Sequence, residues 1–387
     1  CVDNKQEKQM PDNLPEAVVA VKRQAEDFID KVIRPLSDKE GSEVSEDSIR
    51  FVKESSREAG FFFKTQPTEF GGTPASTLEL TVLRELFSRT NLPLTRFVFG
   101  PGPGVLHAVQ GDLKSEYLDP VLSGEKRGAF AFTESDSAPR ATWGVVAGDN
   151  LVINGQKSYI TGGGSADFIS ALVNVEQANG AKAGTAMVVI DRHAQGVTID
   201  RVFTSLDGSS HVSMTFDNVS VPITNVIGEL GEGMPRALAN IGNVRLMVSA
   251  QASGMCMFVL DFIEKHIKSP HRSGIPLGDR EGVRIRFADM RIETFVARSA
   301  LYRTARVVDS GDNCVNETAI TKVFTTETAG RVVDQGVQLF GGQALVTGHP
   351  LEKLYRETRS LRFVEGASDL LRLNIAKGKL ELGKGRL

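Results

Sequence analysis

The sequence predicts an α+β protein built of three successive blocks: an N-terminal helical domain (1–127), a middle antiparallel β domain (128–232) and a C-terminal four-helix bundle (233–387). Three observations carry this. Apolar residues recur at helical steps before residue 128, the period shortens to strand-like runs over about 128–222, and long helical patterns return after Gly233. Strands and helices are not interleaved, which excludes a doubly wound nucleotide fold. The length of 387 residues allows two or three domains.

In the first block, residues 14–36 place Ala17, Val21, Ala25, Phe28, Ile29 and Val32 at three- and four-residue steps, an amphipathic stripe with Pro35 near its end. Helical patterns follow at 46–59 and 77–89, separated by the Gly- and Pro-punctuated run FGGTPAS. The chain breaks again at Gly100–Gly104 before another helix. The second block reads as short β-rich runs, among them AFAFTE, DFISALVNV, GTAMVVIDR and VSMTFDNVSVP, bounded by Gly, Asn and Asp. Asn154-Gly155 is the strongest hairpin signal. In the third block helices are expected at about 234–268, 279–310, 316–340 and 361–382. A helix of 35 residues is about 50 Å long, and four with short connections make an antiparallel bundle.

Composition narrows the function. With 45 Lys+Arg against 48 Asp+Glu the net charge is −3, which is no footprint of a nucleic-acid binder. Uncharged apolar runs fall short of the roughly 18 residues of a membrane span, so a soluble protein is expected. Cys1, Cys256 and Cys314 form no C-x-x-C pair or disulfide framework, which points to a reducing compartment: the cytoplasm, or the mitochondrial matrix in a eukaryote. The polar start has no apolar core of a signal peptide, and Cys1 reads as an expression scar or a trimmed start, with Met10 a candidate native start.

Few motifs carry chemistry by themselves. GKLELGKG at 378–385 has Gly385 where a phosphate loop needs Ser or Thr, and too little chain follows for a helix. The six histidines lack metal-ligand spacing, so no metal site is expected. Glu365 lies between an apolar run and Gly366, just ahead of an amphipathic helix. An apolar setting raises a carboxyl pKa toward a working base. The competing reading is a carboxylate favoured by the helix dipole.

Four segments, in order and suitably separated, resemble the acyl-CoA dehydrogenase family: AFAFTES (129–135), NGQKSYITGG (154–163), GVQLFGGQAL (336–345) and LEKLYRETRSLRFVEGASD (351–369). The resemblance spans about residues 15–380 and implies that family's helix–sheet–helix architecture, with FAD as cofactor and an acyl-CoA as substrate. It implies that Glu365 is the base that removes the α-proton, its backbone N–H donating to the thioester carbonyl. Phe132 and Thr133 match the loop that holds the flavin pyrimidine, Thr161 the residue bonded to flavin N5, and Tyr159 replaces a Trp stacked on the ring. Gln338, Gly341 and Gly342 match a turn that reaches the FAD of a neighbouring subunit. Arg245 and Gly366 fall on the substrate side, and Val244 stands where some members keep an alternative base.

Several positions depart from the family pattern. Pro139 stands where a Ser contacts the FAD diphosphate, and Pro270 and Ser273 replace an Arg and a Phe that would serve the FAD. Arg272 and Arg140 are candidate substitutes. Arg96 falls near a position that binds a distal carboxylate in glutaryl-CoA dehydrogenase-like members, against the plainer reading of a surface Arg. The resemblance implies an acyl-CoA dehydrogenase of fatty acid metabolism that makes a 2,3-enoyl-CoA, passes electrons to an electron-transfer flavoprotein and assembles as a homotetramer or homodimer. Two rivals stay open: a non-redox acyl-CoA lyase on the same fold, and a scaffold subunit without FAD.

Overall fold

The structure, a computed structural model, describes residues 13–41, 43–107 and 109–385; the expectations for Cys1 and Met10 fall outside these residues. The chain forms two compact units. One gathers residues up to Lys64, Pro74–Phe99 and everything from Gly242 onward, and the other holds Thr65–Thr73 and Gly100–Ile241.

The first unit is helical. The helices α1 (Glu16–Phe28) and α2 (Arg34–Glu40) join through a widened π turn at Ile29–Ile33. Pro35, expected near the helix end, instead sits inside a helix that continues to Glu40. Its missing N–H cannot bond the carbonyl four residues back, which suits the widened turn just before it. The buried residues are Val18, Ala25, Phe28, Ile29 and Ile33, the widened turn moving the last from Val32 to Ile33, and Ala17 is exposed. The next helices are α3 (Glu46–Glu58), capped by the Ser45 side chain, and α4 (Thr77–Arg89), capped by Ser76.

Buried Glu85 of α4 accepts two hydrogen bonds from Arg298 (both 2.9 Å), one from Tyr302 Oη (2.6 Å) and one from Ser253 Oγ (2.5 Å). That network ties α4 to the two long helices that supply Ser253 and Arg298.

The second unit contributes two short helices, α5 (Gly111–Leu113) and α6 (Asp119–Ser123), and a sheet of eight strands. They are β1 (Gly128–Ala131), β2 (Trp143–Ala147), β3 (Asn150–Thr161), β4 (Phe168–Glu176), β5 (Lys182–Asp191), β6 (Val197–Thr204), β7 (Ser210–Pro222) and β8 (Val226–Ile227). Their order is β6-β7-β3-β2-β4-β5-β8, with β1 also on β4. The sheet is mixed rather than antiparallel throughout, because β1 and β2 both run parallel to β4. They pair with successive stretches of it, Phe168–Ala171 and then Asn174–Glu176, as one strand interrupted by the loop of residues 132–142.

The expected hairpin at Asn154-Gly155 is not there. β3 runs straight through these residues with a register shift between Ile153 and Gly155. Gly155 has φ +145°, and a Cβ there would lie 2.6 Å from Thr142 Cα, so the glycine serves a bulge and a close backbone approach. The actual hairpin joins β2 to β3 through Gly148-Asp149, with Gly148 at φ +60°. A glycine with positive φ at the first central position is what a type II′ turn needs. Both faces of β4 and β5 are covered: Ile169, Ala171 and Val173 enter one cluster, Phe168 and Leu172 another. Burial on both sides explains why these strands read as continuous apolar runs.

The long helices are α7 (Gly233–Lys268), α8 (Glu281–Asp309) and α9 (Val315–Phe340), followed by α10 (Pro350–Leu361) and α11 (Ser368–Leu380). The expected helix at 361–382 is in fact the end of α10, a turn, and α11, so five α-helices rather than four run from Gly233 onward among the described residues. By length and composition α7 could cross a membrane, contrary to the expectation. Its Val248, Ala252, Met255, Val259 and Ile263 nevertheless lie in the helical core with Val332, Val333, Leu351 and Leu354. Burying each of the larger of these side chains contributes about 1.5–3 kcal/mol.

Candidate active site

In α10 the side chains of Leu351, Leu354 and Leu361 are buried, which fixes where the chain leaves the helix. It then turns: Val364 N bonds Ser360 O, Gly366 N bonds Phe363 O (3.2 Å), and Ser368 N bonds Arg362 O (3.0 Å). Glu365 carries φ +56° and Gly366 φ +110°. A left-handed glutamate costs about 1–2 kcal/mol, so other contacts must hold it.

Two buried cations do so. Arg245 Nε of α7 donates to the Glu365 carbonyl (3.1 Å), and Lys322 Nζ of α9 donates to the Gly366 carbonyl (2.8 Å). Lys322 is completely buried, and Arg245 is 9 % exposed. Among the described residues the Glu365 N–H has no acceptor.

The electrostatics follow from burial. Desolvation raises the Glu365 carboxyl above the ordinary range, and the charges of Arg245 and Lys322 oppose the rise. Desolvation lowers Arg245, opposed by Glu365. Lys322 is pushed down to about 8, by burial first and by the neighbouring Arg245 second. Glu365 is therefore a carboxylate whose proton is exchangeable nearer neutrality than usual, held by its main chain and not by a direct ion pair. That suits a base.

The α9 helix ends at Gly341, whose N–H bonds Val337 O at 2.9 Å with φ +89°. Gln338, Gly341 and Gly342 are exposed there, beside Phe340, which stacks on His266 with ring centroids 4.1 Å apart. Arg272 is exposed in the turn after α7. Arg96 is exposed too and folds back on its own turn, its Nε donating to Pro93 O (3.0 Å), so the surface reading of this residue replaces that of a buried carboxylate binder.

In the sheet unit, β3 has a second irregularity between Lys157 and Ile160. Tyr159 sits in it at φ +54°. The irregularity breaks the alternation, so that Lys157 and Ser158 are both buried while Tyr159 and Thr161 are both exposed. Tyr159 meets Phe203 edge-on (5.3 Å), and Thr161 Oγ1 is 3.1 Å from His211 Nδ1.

The loop after β1 is stitched to the same strand. Ser158 N donates to Thr133 O and Ser135 N to Gln156 O, each at 3.0 Å. Completely buried Lys157 donates to Phe132 O (3.1 Å) and to Glu134 Oε1 (2.6 Å), while Glu134 Oε2 accepts from Thr142 Oγ1 (2.7 Å). Main-chain bonds thus hold Phe132 and Thr133 beside the strand of Tyr159 and Thr161, with Phe132 half-buried and the other three exposed. This set fits a planar heteroaromatic ring such as a flavin. Exposed Pro139 offers no hydroxyl, and Arg140 is engaged by Glu176 (2.7 Å) and the Trp143 ring (4.2 Å).

Sequence reasoning missed Lys157, Lys322 and His211. Lys322 had a signal: it stands with Ala319 and Val323 on the buried stripe of α9, where an apolar residue is expected.

The model of the acyl-CoA dehydrogenase middle domain matches residues 129–219, and that of the acyl-CoA dehydrogenase C-terminal domain matches residues 231–380. A 3-(aryl)acrylate reductase of Clostridium sporogenes is 28% identical over 93% of this chain and 98% of its own length. A subunit of the caffeyl-CoA reductase–Etf complex of Acetobacterium woodii is 26% identical over 82% of this chain and 86% of its own. The acyl-CoA dehydrogenase of Bacillus anthracis, solved with FAD, superposes with a TM-score of 0.78 at 24% identity, over 94% of this chain and 67% of that one. With both family models matched across the sheet and the long helices, including the strand of Thr161 and the turn of Glu365, the chain belongs to the acyl-CoA dehydrogenase family.

Proposed function

We propose that this protein is an FAD-dependent acyl-CoA dehydrogenase that oxidises the Cα–Cβ bond of an acyl-CoA thioester to the 2,3-enoyl-CoA. The observation that carries the reading is Glu365, a left-handed, half-buried carboxylate with a raised pKa, gripped through its main chain by a buried cation. In the family pattern this is the base. Its carboxylate takes the α-proton, and its backbone N–H donates to the thioester carbonyl and stabilises negative charge there. Arg245 and Lys322 hold the turn in place, so that little reorganisation accompanies proton transfer.

Bound FAD would supply the hydride acceptor. Phe132, Thr133, Tyr159 and Thr161 would hold its ring, and Gln338, Gly341, Gly342 and Arg272 would face the cofactor of a neighbouring subunit. An electron-transfer flavoprotein is the proposed electron partner, in keeping with the Acetobacterium woodii relative named as part of an Etf complex.

The same residues serve the reverse direction, with Glu365 returning the proton in its acid form. The Clostridium sporogenes relative, named a reductase, favours this second reading. The test is the absorbance spectrum of the pure protein and its response to a panel of acyl-CoAs under anaerobic conditions. A flavin spectrum bleached by at least one acyl-CoA is expected. A flavin that never bleaches while a β-substituted acyl-CoA is eliminated would point to the lyase, and a colourless protein that takes up no FAD to the scaffold.

A further inference from the structure

Lys322 is the least expected residue in the helical core. It lies on the inner face of α9 among Ala319, Val323 and Leu371. Among the described residues its ammonium has a single acceptor, the Gly366 carbonyl at 2.8 Å. An apolar side chain would cost less to bury, so the charge needs a reason.

The turn it grips supplies one. Arg245 from α7 and Lys322 from α9 take two successive carbonyls, those of Glu365 and Gly366, at the only two residues of the turn with positive φ. We propose that Lys322 is a positioning residue for the Glu365 base: its ammonium locks the Glu365–Gly366 turn and supplies the second positive charge that holds the half-buried carboxylate ready to accept a proton. The proposal rests on the reading of Glu365 as the base.

The groups around the pair are few. Glu365 is faced by Arg245 of α7 and Lys322 of α9. Lys322 is faced by Arg245, by Glu365, by Glu327 one turn along α9, and by Arg362 at the end of α10. Glu327 is itself engaged by Arg372 of α11 at 2.7 Å. Arg245 stays charged at any working pH, whereas burial pushes Lys322 down to about 8, so of the two it is the cation that can change the potential at Glu365.

Three substitutions separate grip from charge. Lys322→Gln can still donate to the Gly366 carbonyl but is neutral, Lys322→Arg keeps the charge, and Lys322→Met keeps neither. The readout is the protonation of the Glu365 carboxyl, followed against pH by infrared difference spectra of each protein and its Glu365→Gln counterpart. It needs neither substrate nor a bleached flavin. The midpoint is expected to rise by about 1 pH unit or more in the Gln and Met variants and to stay near the wild-type value in the Arg variant. In the wild type, the Glu365 carboxylate band is expected to shift again on the alkaline side as Lys322 deprotonates below the ordinary lysine range, a measurement that needs no folded variant.

In turnover, the acid limb of the kcat/KM profile should move upward with Lys322→Gln while KM changes little. Neutral variants that titrate at the wild-type midpoint, or a wild-type band with no step at any alkaline pH at which the protein stays folded, would overturn the proposal. A protein that shows these shifts yet bleaches with no acyl-CoA would instead refute the proposed reaction and leave the electrostatic coupling standing.

Discussion

Arg245 reaches Glu365 through the main chain: its Nε donates to the Glu365 carbonyl at 3.1 Å, and no ion pair joins the guanidinium to the carboxylate. A bidentate pair would neutralise the carboxylate and depress its pKa strongly. Bonding the carbonyl instead fixes the turn and leaves both carboxylate oxygens free to take a proton.

Lys322 makes stability depend on alkaline pH in a stated direction. Its pKa in the folded protein is about 8, below the ordinary 10.5. Between these values the unfolded chain binds a proton that the folded one does not, so stability rises with pH across that window. Chemical denaturation at pH 7, 8, 9 and 10 should show the wild type gaining relative to Lys322→Met. A constant difference between the two would contradict the buried charge.

Lys157 should matter for cofactor retention more than for folding of the helical unit. Lys157→Met leaves the Phe132 carbonyl and the Glu134 carboxylate without their shared donor, at a cost of about 1–3 kcal/mol borne by the loop that carries Thr133. Loss of FAD during gel filtration in high salt should increase several-fold over the wild type. The wild type should itself retain FAD incompletely, since Pro139 offers no hydroxyl and Arg140 is engaged by Glu176. Equal and full retention in both proteins would count against this role.

The surface of α8 predicts assembly. Ile285, Ile292, Phe295 and Val296 are exposed along one stripe, while Met290, Thr294, Ala297 and Leu301 fill the buried one. An apolar stripe of this kind needs a partner, and a second copy of the chain is the expected one. Light scattering should give a dimer or tetramer, and Phe295→Glu should shift it toward the monomer. A wild type that is monomeric at micromolar concentration would refute the prediction.

Much of the fold is legible in the amino-acid sequence. Long helices announce themselves because a 3.6-residue period accumulates over many turns, as in α7, α8 and α9. Strand direction does not: β1 and β2 are too short to signal that they run parallel to β4. Asn154-Gly155 misleads because the residue pair that favours a tight turn also suits a bulge, and only the closeness of Thr142 tells the two apart. Glu365 stands out by its apolar approach and the glycine after it, and its motif resemblance gives it a role. Lys157 and Lys322 are hidden, because burial of each charge depends on a carbonyl, Phe132 O or Gly366 O, supplied by another part of its own unit.

The proposed reaction turns on Glu365 as the proton acceptor. Glu365→Gln keeps the shape of the side chain and the backbone N–H but cannot take the proton, so FAD content and acyl-CoA affinity should change little. The decisive measurement is the rate of flavin bleaching in a single turnover with an acyl-CoA that reduces the wild type, at matched FAD content. The expected loss is at least about 10²–10⁴-fold. A variant that bleaches at the wild-type rate would show that the proton goes elsewhere.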